Sequence, residues 1–116
     1  MPNSSTGQVA IKYGIEGPSL TITTACAASA NAVGEAKNMI QNGIVDMVIA
    51  GGTESGTTSM TIGAFAQIRA LSTNNENPQK ACRPFDKDRD GFVMGEGSTV
   101  LVMESEESAI SRGVEI

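Results

Sequence analysis

Two groups of residues in this chain have the types and spacing for chemistry. The first is a single cysteine at a change of backbone character. Residues 20–24 (Leu-Thr-Ile-Thr-Thr) are largely branched at Cβ and favour extended structure, whereas residues 25–36 supply alanine repeatedly and favour helix. Cys26 falls at that junction. A side chain in the first turn of a helix faces backbone N–H groups that lack intrahelical partners, so a thiolate at Cys26 would be stabilised by those donors and by the positive end of the helix dipole. The alternative for Cys26 is a small buried hydrophobe.

The second group is Asp86, Asp88 and Asp90 followed by Gly91, which matches the opening of a calcium-binding loop, with acidic side chains at positions 1, 3 and 5 and a turn at position 6. The bidentate glutamate belongs at position 12, and that position is Gly97; Glu96 lies one place early and is expected to point elsewhere. Pro84 interrupts any entering helix, and residues 98–103 read as a strand rather than a second helix. The reading therefore assigns no metal site and no cofactor. Cys82 has no ligand partner at metal spacing, the chain contains no histidine, and Cys82 reads as structural.

The elements that must position these groups follow from periodicity and punctuation. Residues 3–13 predict a helix with Ser4, Ser5 or Thr6 as N-cap and Gly14 as its end. A turn at residues 16–18 leads into the strand at 20–24, and the helix after Cys26 runs to Asn42-Gly43. Its small side chains suit a central, buried helix, and Gly34 implies a packing requirement, because mid-helix glycine costs about 1 kcal/mol relative to alanine. Residues 44–50 predict a strand buried on both faces, completing a strand–helix–strand unit whose strands are parallel if they share a sheet. Gly51-Gly52 reads as a sharp turn that presents Thr53, Glu54 and Ser55 at a strand's carboxyl end, where ligand sites occur, although a plain turn explains them as well. Met60, Ile62, Phe65, Ile68 and Leu71 recur at helical spacing and predict an amphipathic helix over 58–71. Residues 72–80 form a polar loop, residues 98–103 a strand, and a last helix starts near Glu104 and ends at Arg112-Gly113.

Composition sets the class. The chain has 116 residues, 40% hydrophobic and 18% charged, which suits one small α/β domain rather than a disordered chain. Aromatics are only 3%, so the core must be built from Ala, Val, Ile, Leu and Met. A net charge of −5 argues against nucleic acid and against an anionic membrane surface as partners. Residues 1–5 lack the basic and apolar regions of a secretory signal, and two separated cysteines make no disulfide framework, so a reducing, cytoplasmic setting is expected.

The run Thr24-Ala25-Cys26-Ala27-Ala28-Ser29-Ala30-Asn31-Ala32-Val33-Gly34-Glu35-Ala36, the Gly51-Gly52-Thr53-Glu54 sequence, Arg69-Ala70-Leu71-Ser72-Thr73-Asn74, and residues 83–97 (RPFDKDRDGFVMGEG) together resemble the β-ketoacyl-acyl carrier protein synthases, most closely the elongating synthase II type. The resemblance covers nearly the whole chain in order and spacing, and a middle portion of the family's longer polypeptide. It implies a thiolase-like layered α/β fold, with residues 1–116 forming part of its N-terminal half around a strand–helix–strand core. In that fold, strands lying before residue 1 separate the strand at 20–24 from the one at 45–50, so this polypeptide is expected to leave sheet edges unpaired and to be poorly stable or associated.

The implied reaction is a decarboxylating Claisen condensation in fatty acid elongation. Cys26 would accept the acyl group, its backbone N–H would be one of two oxyanion donors, and two histidines and a lysine of the family would serve the enolate. With no histidine, this chain alone is expected to be inactive. The resemblance also implies that Phe65 contacts the acyl chain and that Arg69 receives the acyl carrier protein, against the alternatives of a core stripe and a solvated cation at a helix end. It implies charges in the 83–97 loop that pair internally. Acyl or malonyl carrier protein is the expected partner and a homodimer the expected assembly. The other readings are a polyketide-type or coenzyme A-dependent condensing enzyme, and an inactive binding fragment.

Overall fold

Glycine closes three of the helices by one device. In helix α1 (Ser4–Tyr13), Gly14 adopts φ 63° and the N–H of Ile15 returns 2.9 Å to the carbonyl of Ala10. Helix α2 (Ala28–Gln41) ends at Gly43 (φ 66°), with Ile44 N–H bonded to Met39 O at 2.9 Å, and helix α4 (Glu106–Ser111) ends at Gly113 (φ 70°), with Val114 N–H bonded to Ala109 O at 3.1 Å. These are the left-handed caps that satisfy terminal carbonyls, and they stand where the sequence places them. The start of α1 differs from expectation. Asn3 is its N-cap without a side-chain bond, and Ser4, expected as a cap, donates its hydroxyl to Met1 O at 2.7 Å.

The computed structural model describes all 116 residues, and these form two compact units: Met1–Gly52 with Thr99–Ile116, and Thr53–Ser98. The first unit holds α1, α2, α4 and the pairing of strands β1 (Met47–Glu54) and β2 (Gly97–Glu104), which make a two-stranded sheet. Asp46 O accepts from Ser105 N at 2.9 Å while Gly51 lies against Thr99 and Val100, so the strands run antiparallel. The second unit holds helix α3 (Ser59–Gln67), a 3-10 turn (Pro78–Lys80) and long irregular segments tied by a parallel bridge between Leu71 and Phe92.

The expected strand–helix–strand unit is incomplete here. Residues 20–24 form no strand. Leu20 and Ile22 do reach β1, lining a cavity of about 140 Å³ with Ala36, Met39 and Val48, but no ladder bonds join their backbone to it. The second strand begins at Met47 rather than 44 and is not buried on both faces: only Ala50 is buried, and Met47 and Ile49 are each 42% exposed.

Gly51 and Gly52 lie inside β1 instead of forming a turn, and the reason is proximity. A Cβ on Gly51 would stand 2.8 Å from Val100 Cα and closer still to Thr99 O; one on Gly52 would stand 2.7 Å from Ser29 Cβ. Glycine in a strand marks such an approach of backbone or neighbour. Here the neighbour is the first turn of α2. Gly34, by contrast, has nothing within 4 Å of a built Cβ, so the packing requirement expected there is not found in this chain. Helix α2 is likewise less buried than expected, with Ala36 and Met39 its only buried residues.

Burial is sparse throughout. The core is Ala36, Met39, Ala50 and Ala109 in the first unit and Ala81 in the second. The accessible surface is 9184 Å² for 12.0 kDa, whereas a folded monomer of this mass exposes roughly 6,000 Å². Much of the excess is apolar, including Leu20, Ile44, Val100 and Val102.

Within the first unit, Glu104 ends β2 and takes a bidentate grip on Arg112, with Oε1 accepting from Nε at 2.9 Å and Oε2 from Nη2 at 2.7 Å, while Ser108 Oγ donates to Oε1 at 2.6 Å. Helix α4 starts at Glu106, with Ser105 as N-cap, so Glu104 serves as its clasp rather than its first residue. The Arg112 and Ser108 hydrogen bonds pull the Glu104 carboxyl down to about 2. A depressed carboxyl contributes stability above its ordinary value of about 4.3 and loses it as pH falls toward the folded value. We expect carboxyl NMR to show Glu104 titrating near 2, and Arg112→Gln to move that midpoint up toward the ordinary range. A midpoint unmoved by the substitution would mean that the pair does not form. For the glycine contact, Gly52→Ala is expected to lower stability by about 1–3 kcal/mol in chemical unfolding, as overpacking does, and Ser29→Gly to restore part of it.

Candidate active site

Cys26 lies in a 3-10 turn (Ala25–Ala27) that runs directly into α2, two residues before that helix begins rather than inside its first turn. Ala27 N–H bonds to Thr24 O at 3.1 Å and closes the turn. Ala25 carries φ 50°, a left-handed conformation that a non-glycine residue adopts at a cost on the order of 1 kcal/mol. The chain thus makes a strained elbow one residue before the cysteine, and Cys26 is an exposed, free thiol. The N-cap of α2 is Ala27, which offers no side-chain oxygen, and Asn31 Nδ2 donates to Ala27 O at 2.8 Å instead. The first-turn N–H groups of α2 therefore have no side-chain acceptor, the condition in which a helix start favours an anion. An exposed thiol on such an elbow, at the approach to a helix start, is placed for nucleophilic attack on a carbonyl.

Phe65 and Arg69 belong to the second unit and sit one turn apart at the end of α3. The helix is shorter than the predicted 58–71. Thr58 caps its start by accepting from Thr61 N at 3.3 Å, and Arg69 takes the left-handed position (φ 56°) that glycine holds in the other helices. Arg69 N bonds to Ala66 O at 2.9 Å and Ala70 N to Phe65 O at 3.1 Å, so a full terminal cap forms on an arginine. Leu71 then leaves the helix and bridges to Phe92. The Phe65 ring meets Phe92 edge-on, with centroids 5.3 Å apart at 80°.

Sequence reasoning missed two carboxylates that organise this unit. Glu96 Oε1 accepts from Thr57 Oγ1, from Thr57 N at 3.1 Å and from Ser55 Oγ at 3.2 Å, so it does point away from the aspartates of the loop. Asp90 accepts from Ser72 Oγ at 2.6 Å and Thr73 N at 2.9 Å. The Thr57 hydroxyl holds the Glu96 carboxyl below its usual range, and the Ser72 hydroxyl does the same for Asp90. The serines and threonines involved lie 17 to 41 residues away in sequence, beyond any local pattern.

The internal charge pairing expected for residues 83–97 is not what forms. The one ion pair in the chain is Arg112 with Glu104. Arg83 donates to Asp88 O and Arg89 Nη1 donates to Asp86 O at 2.9 Å, while Asp86 Oδ1 accepts from Asp88 N at 2.8 Å. Asp86, Arg83 and Arg89 bond to backbone groups of the tight turns, while Asp90 and Glu96 are held by hydroxyls together with backbone N–H groups. Cys82, expected as a packed structural residue, is exposed.

Comparison with known proteins matches residues 1–109 to the N-terminal domain of β-ketoacyl synthase. The chain is 51% identical over 114 residues to 3-oxoacyl-[acyl-carrier-protein] synthase 2 of Synechocystis, covering 98% of this chain and 27% of that protein. It is 50% identical over 115 residues to the mitochondrial 3-oxoacyl-[acyl-carrier-protein] synthase of Arabidopsis thaliana, covering 98% of this chain and 25% of that one. Among solved structures, a ketosynthase of a type II PKS in complex with its acyl-carrier protein, bound to the hexaketide, superposes with a TM-score of 0.93 at 41% identity over 98% of this chain and 28% of its own. The chain therefore spans about a quarter of the length of the relatives it matches, and its α/β architecture is that of part of the ketosynthase fold, as the thiolase-like reading expected. With its cysteine elbow, its glycine-paired strands and its 83–97 loop all falling within the matched region, the chain belongs to the β-ketoacyl synthase family.

Proposed function

We propose that residues 1–116 are part of the N-terminal thiolase-like domain of a 3-oxoacyl-[acyl-carrier-protein] synthase and that Cys26 is its acyl-accepting nucleophile. The observation that carries this reading is the strained elbow at Ala25 that presents an exposed thiol at the start of α2. In the first step the Cys26 thiolate attacks the carbonyl of an acyl thioester, the developing oxyanion takes N–H donors that include the Cys26 backbone, and the carrier's thiolate leaves and is protonated. In the second step malonyl carrier protein loses CO₂. The resulting enolate carbon attacks the acyl-Cys26 carbonyl, a carbon–carbon bond forms, the carbon–sulfur bond breaks, and the Cys26 thiolate is regenerated.

This chain supplies no imidazole, so in this reading residues 1–116 carry the nucleophile and the condensation needs groups from elsewhere in the synthase. Phe65, paired with Phe92, is the apolar contact for the acyl chain, and Arg69, held at the end of α3, is the cation for the carrier protein. Acyl carrier protein is the partner, a homodimer the assembly of the whole synthase, and the cytoplasm its place; no helix of this chain is long and apolar enough to cross a membrane. A polyketide-type ketosynthase is the second reading, favoured by the solved structure just described, while the higher identity to the fatty acid synthases favours elongation.

The test is acylation. On incubation with an octanoyl thioester of acyl carrier protein, we expect a thioester adduct at Cys26, located by peptide mass mapping and absent in Cys26→Ala, with no 3-oxoacyl product when malonyl carrier protein is added. Adducts formed equally at Cys26 and Cys82, or at neither, would remove Cys26 from the role.

A further inference from the structure

The second unit contains an open pocket of about 520 Å³ that shares Phe92 with the aromatic pair but none of Cys26, Phe65 or Arg69. Its polar lining is cationic: Arg83, Lys87 and Arg89 reach it, and no aspartate or glutamate does. The rest of its lining is largely apolar, with Pro84, Phe92 and Val93 the main side chains.

Three cations around one cavity repel each other unless something neutralises them, and the obvious candidates are committed elsewhere. Asp90 is held by Ser72 and Thr73 and reaches Arg83 only as a more distant charge, Asp86 accepts from the Asp88 N–H, and no carboxylate lies within 4.0 Å of the three cations. Arg83 and Arg89 each place one arm on a backbone carbonyl. Lys87 makes no hydrogen bond in the chain, and the Nε of Arg83 is buried without any acceptor. A buried charged donor left unpaired is costly, and a native structure ordinarily supplies its partner.

The walls are also fixed in advance. Phe92 N bonds to Ala70 O and Ser72 N to Phe92 O, both at 3.0 Å. Gly91 (φ 152°) passes so near Leu71 that a Cβ there would lie 2.6 Å from its carbonyl oxygen. The cavity floor therefore does not have to be organised by a ligand, which lowers the cost of binding one.

We infer that this cavity binds a small organic oxyanion, a carboxylate or phosphate head carried on an apolar body, with Arg83, Lys87 and Arg89 around the head and Phe92 and Val93 against the body. The volume fits such a molecule and exceeds what a bare inorganic ion needs. Guanidinium groups bind carboxylate and phosphate oxygens by the same forked geometry, so the head could be either. The inference stands independently of the role proposed for Cys26.

Cys82 lines the same cavity and reports on it. Its rate of modification by neutral iodoacetamide, read separately from Cys26 by peptide mapping, is measured in the full chain with octanoate, octyl phosphate, inorganic phosphate or octanol added. We expect octanoate or octyl phosphate to protect Cys82 at concentrations where octanol does not; whichever of the two protects at lower concentration identifies the head group. Lys87→Gln, which breaks no bond in the loop, is expected to weaken protection about tenfold, the worth of one charged hydrogen bond. Equal protection by octanol would reduce the cavity to an apolar cleft and overturn the inference. Protection by none of the four at millimolar concentration, or protection unchanged in both Lys87→Gln and Arg89→Gln, would overturn it as well.

Discussion

The geometry of the first unit depends on close approaches at two adjacent glycines. Gly51 lets β1 lie against the Thr99–Val100 peptide of β2, and Gly52 lets the same strand seat the first turn of α2 at Ser29. Those two contacts fix a strand, its partner and a helix start to one another without a large side chain between them. The cysteine elbow precedes that helix start by two residues, so its direction is set by glycine rather than by core volume. This is a sensible construction for a chain with few aromatics. Where bulk is scarce, position is held by close approach, and dispersion gains from touching backbones replace some of what large apolar side chains provide.

Much of this was legible in the sequence because it is local. Gly14, Gly43 and Gly113 announced helix ends, since only a left-handed residue can satisfy the last carbonyls, and the shift from β-branched residues to alanine located Cys26 at an element boundary. What failed was non-local. Gly51-Gly52 looks like a turn from within its own segment, and only the presence of β2 and Ser29 beside it reveals why side chains are excluded. Residues 20–24 have strand propensity and reach β1 with Leu20 and Ile22, yet make no ladder bonds to it, so propensity alone does not produce a strand. Arg69 occupies a slot that composition rules reserve for glycine, and tertiary pairing of Leu71 with Phe92 overrides the helical spacing that extended through Leu71.

The charges of the second unit follow a rule that a linear count conceals. Acidic and basic residues alternate through residues 86–90, and a reading by proximity in sequence pairs them. The loop is too tightly turned for that. Asp86 accepts from an N–H and Asp90 from a hydroxyl and an N–H, while Arg83 and Arg89 each donate to a carbonyl. Ion pairing has little to set against these local bonds, because an exposed ion pair contributes little.

The antiparallel register of β1 and β2 also bears on the order in which the chain folds. The segment 53–98 leaves one strand and returns to its neighbour, so the Gly51–Val100 contact cannot form until both ends of that segment meet. Closing a flexible loop of that length costs on the order of 3 kcal/mol in chain entropy. If Glu96 and Asp90 tie the segment together first, its ends are already confined and most of that cost is removed before the strands pair. Glu96 does this at the margin of the sheet itself, since it immediately precedes β2 and accepts from Ser55, the residue that follows β1.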